Sequence, residues 1–283
     1  MSLLKKLLLG FLLLVVVLVV AGYFVLRSAG IISRADYDHD APALPNFEKP
    51  AVLVLSKANG FVHVDALPAG EQMLRDLAAD RGWDIYATDN AATHNAADLA
   101  KFAVVVWNNV SGDVLTAEQR KALKAWIESG GAWVGIHASG GDLSYQWDWY
   151  VDTLIGAQFA GHTSDPQFQD ADVLVADAQL PITAHLPQPW SVPNEEWYAF
   201  DSNPRDKGYE ILLTMDTDSY IQVGGNSFWR DDMPGEHPIA WRHQLGEGRV
   251  VYSAIGHQGA TYSIPEFRQL IANAISWAGR LQD

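Results

Sequence analysis

The sequence predicts an α/β domain on a mostly parallel sheet, carried behind one membrane-length helix. Three observations predict it. Short unbroken apolar runs, Ala51–Leu55 (AVLVL), Phe102–Trp107 (FAVVVW) and Ala132–Ile136 (AWVGI), suit strands buried on both faces. Helically spaced segments stand between them, and alternation of strand and helix favours parallel pairing with helices on both faces. Ahead of all of these, Leu7 to Leu26 carries no charge, enough for a helix of roughly 30 Å, the thickness of a bilayer core.

Lys5 and Lys6 precede this apolar run. A cleaved signal usually has an apolar core of about 7–15 residues, so residues 1–27 read as an uncleaved inner-membrane anchor. Ser28, Ala29 and Gly30 still offer a cleavage site. Lys5 and Lys6 favour a cytoplasmic amino terminus and a periplasmic or otherwise extracytoplasmic domain, although Arg27 and Arg34 stand on the far side. Residues 28–50, with Asp36, Asp38, Asp40, Pro42, Pro45 and Pro50, read as a tether. The domain proper is expected over 51–283.

Within it, Leu67–Arg81 places Leu67, Met73, Leu74 and Leu77 on one helical face. Trp83–Ala87 follows as a strand. Thr116 opens a helix with the capping pattern T-A-E-Q, Leu123, Trp126 and Ile127 give it a buried stripe, and Gly130-Gly131 end it. After residue 165 shorter strand-like runs appear at Asp172–Ala176, Tyr209–Met215, Pro238–Arg242 and Arg249–Ile255, with a tight turn at Leu245-Gly246-Glu247-Gly248. This half reads as further strands of the same sheet with a loop-rich cap. Pro265–Trp277 closes the chain as a helix with Pro in its first turn.

Composition excludes several chemistries. The chain has no cysteine, hence no disulfide, thiolate nucleophile or Cys-based metal site. Its 34 acidic residues outnumber 19 basic ones, and four of the basic residues lie in the first 34 positions. The acidic remainder repels nucleic acid and anionic headgroups and suits a neutral partner, besides keeping the domain soluble. Neither G-x-x-x-x-G-K-[ST] nor a strand followed by G-x-G-x-x-G is present, nor H-E-x-x-H.

In parallel sheets ligands sit beyond the carboxyl ends of the strands, here Ser56–His63, Asn108–Asp113 and His137–Asp142. Four of the nine histidines, His63, His137, His162 and His257, fall beside glycines or at strand ends. Neutral imidazole serves as metal ligand or general base, though any one of them could be a polar residue satisfied in a loop. Gly135-Ile136-His137-Ala138-Ser139-Gly140-Gly141 has the layout of a nucleophile elbow that presents His137, with Ser139 out of register for a serine nucleophile. Asp142 could orient His137, bind a ligand hydroxyl, or cap a helix starting near Tyr145. In Asn194–Phe200, Glu196 beside Trp197 and Tyr198 offers an acid/base group and a stacking surface, or else an ordinary half-buried strand. Among 11 tryptophans, Trp147, Trp149, Trp190, Trp197, Trp229 and Trp241 are candidates for sugar platforms or for core.

An ordered series of short segments resembles the ThuA-like (trehalose utilisation) family: Gly60–His63, Gly131–Asp142, Gly156–His162, Glu195–Tyr198, Pro238–Trp241, Gly246–Tyr252 and Gly256-His257 with Tyr262 following. The resemblance runs from about Ala51 to Gly279. It implies a class I glutamine amidotransferase-like, flavodoxin-like layered fold. Glutaminases of that fold carry Cys at the elbow position that matches His137, so glutaminase chemistry is out. The resemblance further implies 3-keto sugars or 3-keto glycosides, such as 3-keto-trehalose, made by a partner sugar 3-dehydrogenase. In that reading His137 or His63 is the base and Glu196 a second acid/base group or a metal ligand. Asp142, Trp197 and Tyr198 contact substrate. His162 and His257 bind the ketone oxygen or hold a metal. Candidate ligands for a divalent ion such as zinc or manganese are His63, His137, His162 and His257, although no spacing demands one. The rival readings are a non-catalytic, membrane-tethered sugar-binding module and a metal-dependent hydrolase of other substrates.

Overall fold

A computed structural model describes residues 2–28, 36–142, 145, 147–223 and 230–281. Ala29, Gly30, Arg34 and Trp229, all singled out above, lie outside the described residues. The first helix, α1, is Leu3–Ser28. It is long and apolar enough to cross a membrane, a test that a signal sequence near the amino terminus also passes.

The domain then alternates strand and helix as the apolar periodicity requires: β1 (Ala51–Leu55), α2 (Ala66–Arg81), β2 (Asp84–Thr88), the single turn α3 (Ala96–Leu99), β3 (Val104–Asn108), α4 (Ala117–Glu128) and β4 (Ala132–Ile136). Every residue of β1, β3 and β4 is buried, while β2, at the sheet edge, is only half-buried. The second half supplies β5 (Phe159–His162), β6 (Phe168–Val175), β7 (Trp190–Glu196), β8 (Tyr198–Phe200), β9 (Glu210–Met215), β10 (Pro238–Leu245), β11 (Gly248–Ser253) and α5 (Pro265–Gly279).

The main sheet runs β2-β1-β3-β4-β11-β10-β9-β6-β7. Its β2-β1-β3-β4-β11 block is parallel and the remaining pairs are antiparallel. The shorter runs after residue 165 thus extend the same sheet, and β5 and β8 form a small separate ladder. Helices α2 and α5 touch over one face and α3 packs against α4; right-handed crossovers from β1 outward and then back inward put these pairs on opposite faces. The helix start at Thr116 is a complete capping box: the Thr116 hydroxyl accepts from Gln119 N, and Gln119 Oε1 accepts from Thr116 N. The helix near Tyr145 falls later, with its wide last turn over Tyr150–Ile155.

From Asp36 onward the segment expected as a tether lies along the domain. Asp38 Oδ2 receives Lys57 Nζ at 2.6 Å and Ala91 N at 2.8 Å. Leu44 and Phe47 pack on the core, and Asp84 Oδ2 accepts from Glu48 N and Lys49 N.

One buried histidine is structural. His94 has no exposed surface and accepts a hydrogen bond from Trp107 Nε1 at 3.0 Å. Burial pushes its pKa down from 6.5 to about 4, so the folded chain refuses a proton that the unfolded chain takes. The associated stability, roughly 3 kcal/mol, is present above pH 6.5 and is lost as pH falls towards 4. Urea midpoints measured from pH 7.5 to 4.5 should fall less steeply in His94→Gln than in the parent chain.

Candidate active site

The site lies where the carboxyl ends of the parallel strands meet the loops of the second half. β4 ends at Ile136, and His137 turns the chain with φ +47°, the strained elbow suggested by the glycines around it. The ring is enclosed rather than exposed, with no accessible surface. Its Nδ1–H donates to Ala254 O at 2.6 Å, just beyond β11, which fixes the tautomer and leaves a lone pair on Nε2. Tyr198, stacked on the ring with centroids 4.2 Å apart, donates its hydroxyl to that Nε2 at 2.8 Å. Gly141 leaves room for this stack, since a Cβ there would stand 2.4 Å from the Tyr198 ring.

His63 arrives from the β1–α2 loop and His257 from the end of β11. His137 Nε2 stands 3.2 Å from His63 Nε2 and 3.3 Å from His257 Nδ1. Glu196 closes the group from the end of β7, its Oε2 lying 3.0 Å from His257 Nδ1 and 3.6 Å from His137 Nε2. The four donor atoms lie within 4.8 Å of one another. Burial, reinforced by the neighbouring His257, pushes the pKa of His63 down to about 3; burial and the adjacent His63 and His257 likewise hold His137 well below its ordinary value. His257 goes the other way: burial opposes protonation, but its bond to Glu196 wins and raises its pKa. For Glu196 burial works to raise the pKa, but the hydrogen bond from His257, with further contributions from its neighbours, holds it below the usual carboxylate value.

This donor set could hold a divalent cation. Neutral imidazoles and a carboxylate suit zinc or manganese. Donors around a tetrahedral zinc stand roughly 3.3 Å apart, close to the 3.0–3.6 Å seen between neighbours here. With its proton on Nδ1, His137 can donate to neither facing ring, and burial keeps both His137 and His63 unprotonated; a cation taking the place of the Tyr198 hydrogen bond on Nε2 would satisfy the facing lone pairs together.

A cavity of about 220 Å³ opens beside the cluster, lined by Phe61, His63, Gly141, Phe159, His162, Gln167, Glu196, Tyr198 and His257. His162 stands on its wall outside the four-donor group, with Nδ1 2.7 Å from Thr163 O and 3.3 Å from Glu196 Oε1. Gln167 Nε2 donates to Glu196 Oε1 at 2.6 Å. The fold therefore brings His63, His137, His162, His257, Glu196 and Tyr198 together. Trp197 lies elsewhere: its ring is buried in the core and its Nε1 donates to Gln169 O, so it offers no platform to a sugar. Asp142 is also set back, its Oδ2 accepting from Gly112 N at 2.7 Å and its backbone O from Gln158 Nε2; it braces the loops behind the cavity.

Sequence reasoning missed Glu195, Gln167, Phe61 and Phe159. Glu195 is fully buried and accepts from Thr261 Oγ1 at 2.6 Å, His257 N at 3.0 Å and Glu196 N at 2.9 Å. Strand alternation should send one of two adjacent glutamates outward. Asn194, at φ +50°, and the register shift opposite Gln169–Ala171 break the alternation, so both carboxylates face inward.

The family model for ThuA, described as trehalose utilisation, matches residues 51–278. The chain belongs to the ThuA family. Solved structures agree with its fold. A ThuA-like protein from Bacteroides uniformis is 25% identical over 84% of this chain and 95% of that one, with a TM-score of 0.70. A second ThuA-like protein, from Parabacteroides merdae, is 17% identical over 82% and 90% of the two chains, with a TM-score of 0.58. A β-galactosidase from Bacillus circulans sp. alkalophilus shares the ThuA-type fold over 82% of this chain but 31% of its own, at 11% identity and a TM-score of 0.50. No curated protein matches the sequence.

Proposed function

We propose that this ThuA domain is an enzyme of 3-keto sugars or 3-keto glycosides, held at the inner membrane by α1 with the domain on the extracytoplasmic side. The observation that carries the reading is the convergence of three histidines and Glu196 beside an aromatic-walled cavity. The family's trehalose description supports a carbohydrate substrate. Lys5 and Lys6 ahead of the apolar helix support the orientation.

His63, His137, His257 and Glu196 would hold a divalent cation such as zinc or manganese, whose chemistry when bound is Lewis-acid stabilisation of developing oxyanion charge. The chain's own groups do the rest. A ketone at C3 acidifies the C2–H bond. His162, whose Nδ1–H is committed to Thr163 O, carries its basic lone pair on Nε2 and takes the C2 proton. The C2 electron pair then expels the C1 substituent, whose oxygen receives a proton, and addition of water across the resulting double bond completes cleavage. Tyr198, which burial keeps protonated, serves as a hydroxyl donor. Phe61 and Phe159 give apolar walls for the sugar ring and exclude water. A partner 3-dehydrogenase would supply the keto sugar.

The test is incubation of the full chain in detergent with 3-keto-trehalose and, separately, trehalose, with products followed by mass spectrometry. Consumption of the keto sugar alone is expected. Binding of both sugars with turnover of neither would leave a sugar-binding module. Turnover of unrelated esters or amides instead would favour the hydrolase reading.

A further inference from the structure

Most of the exposed large apolar side chains of the domain fall in two loops. Outside α1, those among the described residues are Phe61, Val62, Val64, Leu174, Ile221 and Val223. Three of them sit in the β1–α2 loop, where Val64 is 71% exposed and Phe61 also lines the cavity. Ile221 and Val223 belong to a second loop. It is held to the cavity side by Gln169, which bonds both backbone groups of Ile221 at 2.9 Å and stands two residues from the cavity-lining Gln167. Exposed apolar side chains gathered in two loops, one of which lines the cavity, mark a surface built to meet something.

The path of the chain says what it meets. The backbone oxygen of Asp36, the first residue described after α1, accepts from Asn59 Nδ2 at 2.9 Å, and Asn59 precedes Phe61 by two residues. Between Ser28 and Asp36 there are eight Cα–Cα steps, a reach of at most roughly 30 Å. The segment then runs away from this rim, through Asp38 to the Asp84 contacts at the opposite end of β2. The end of the membrane-length helix is thus tied first to the loop that carries the exposed apolar residues.

We infer that the Phe61–Val64 loop, flanked by Ile221 and Val223, rests on the surface of the bilayer that α1 spans, so that the cavity mouth faces the lipid headgroups. This rests on the anchor reading of α1. The helix supplies the attachment. The rim supplies orientation, because Phe and Val side chains leave water for the headgroup–acyl boundary. The acidic excess of the domain disfavours anionic headgroups, so the contact is apolar and made on a neutral, zwitterionic surface.

A chain without cysteine makes the test direct. The full chain is reconstituted in phosphatidylcholine nanodiscs as three single-cysteine variants, Val16→Cys, Val64→Cys and Glu247→Cys, each carrying an environment-sensitive fluorophore. Nitroxide-bearing lipids then quench from the headgroup or from the acyl chain. Glu247 lies in the β10–β11 turn at the far end of the sheet. Expected is quenching of the Val16 label by acyl nitroxide, loss of half or more of the Val64 signal with headgroup nitroxide, and no change at Glu247. Equal signals at Val64 and Glu247 with Val16 quenched would overturn the docking and leave the anchor standing. An unquenched Val16 label would remove the anchor and the docking together.

Discussion

Metal-stripped protein should take up about one divalent ion per chain, and His137→Ala should bind it far more weakly, by more than the 10–100-fold that loss of an outer-shell partner typically costs. His137 is the member of the cluster with the least freedom. Its Nδ1–H is tied to Ala254 O, its backbone oxygen accepts from the Tyr252 hydroxyl at 2.8 Å, and its Nε2 is central to the contacts with His63, His257 and Glu196. Removing the ring removes one donor and the spacer that keeps the other two rings apart. Glu196→Gln should weaken uptake as well, since it discards the charge that offsets the cation while keeping the shape. Competition with a chromophoric chelator reads both. The fold should survive: stranding the Ala254 carbonyl and the Tyr198 hydroxyl costs about 1–3 kcal/mol each, against a sheet whose β1, β3 and β4 are buried throughout.

The largest loss of stability from a single site residue is expected at Glu195. Its carboxylate, without exposed surface, takes hydrogen bonds from Thr261, from the backbone of His257 and from the backbone of Glu196. Glu195→Ala leaves three buried donors without an acceptor. At about 1–3 kcal/mol each, and not fully additive, the cost is about 3–5 kcal/mol, a fall of roughly 6–20 °C in Tm. Because two of those donors belong to cluster residues, metal uptake should weaken in parallel. Glu195→Gln keeps a carbonyl acceptor and should recover most of the stability. The pH dependence separates acceptor from charge. Burial raises the pKa of Glu195 above its ordinary 4.5, outweighing the hydrogen bond from Thr261. Stability linked to that raised pKa is fully present below 4.5 and is lost as pH rises through the folded value. Thermal melts should therefore show the deficit of Glu195→Gln relative to the parent chain shrinking as pH rises.

The parallel half of the fold was legible because β1, β3 and β4 are buried on both faces and so read as uninterrupted apolar runs. β5 was not legible as a strand, and β7 and β8 were legible only as one of two readings of Asn194–Phe200, a single half-buried strand. They are short, and β7 carries Pro193, Asn194 and two glutamates. The histidines were legible as a group through topology: carboxyl ends of adjacent parallel strands converge, and β4 and β11 are neighbours. Trp197 and Glu195 show where that reasoning stops. An aromatic beside a carboxylate suggests a sugar platform, but a bulge at Asn194 decides which side chains turn inward, and a bulge depends on register with β6. The strap from Asp36 to Pro50 looked like a free tether because its holds are backbone groups and single carboxylates, which leave no periodic trace.

The proposed chemistry turns on the proton next to a sugar ketone. The measurement that tests it most directly is the 3-keto-trehalose incubation repeated in D2O, with the unreacted sugar and the products examined for label at C2. Deuterium is expected at C2, abolished in His162→Ala. Cleavage with no solvent deuterium at C2, or equal turnover of trehalose itself, would contradict it.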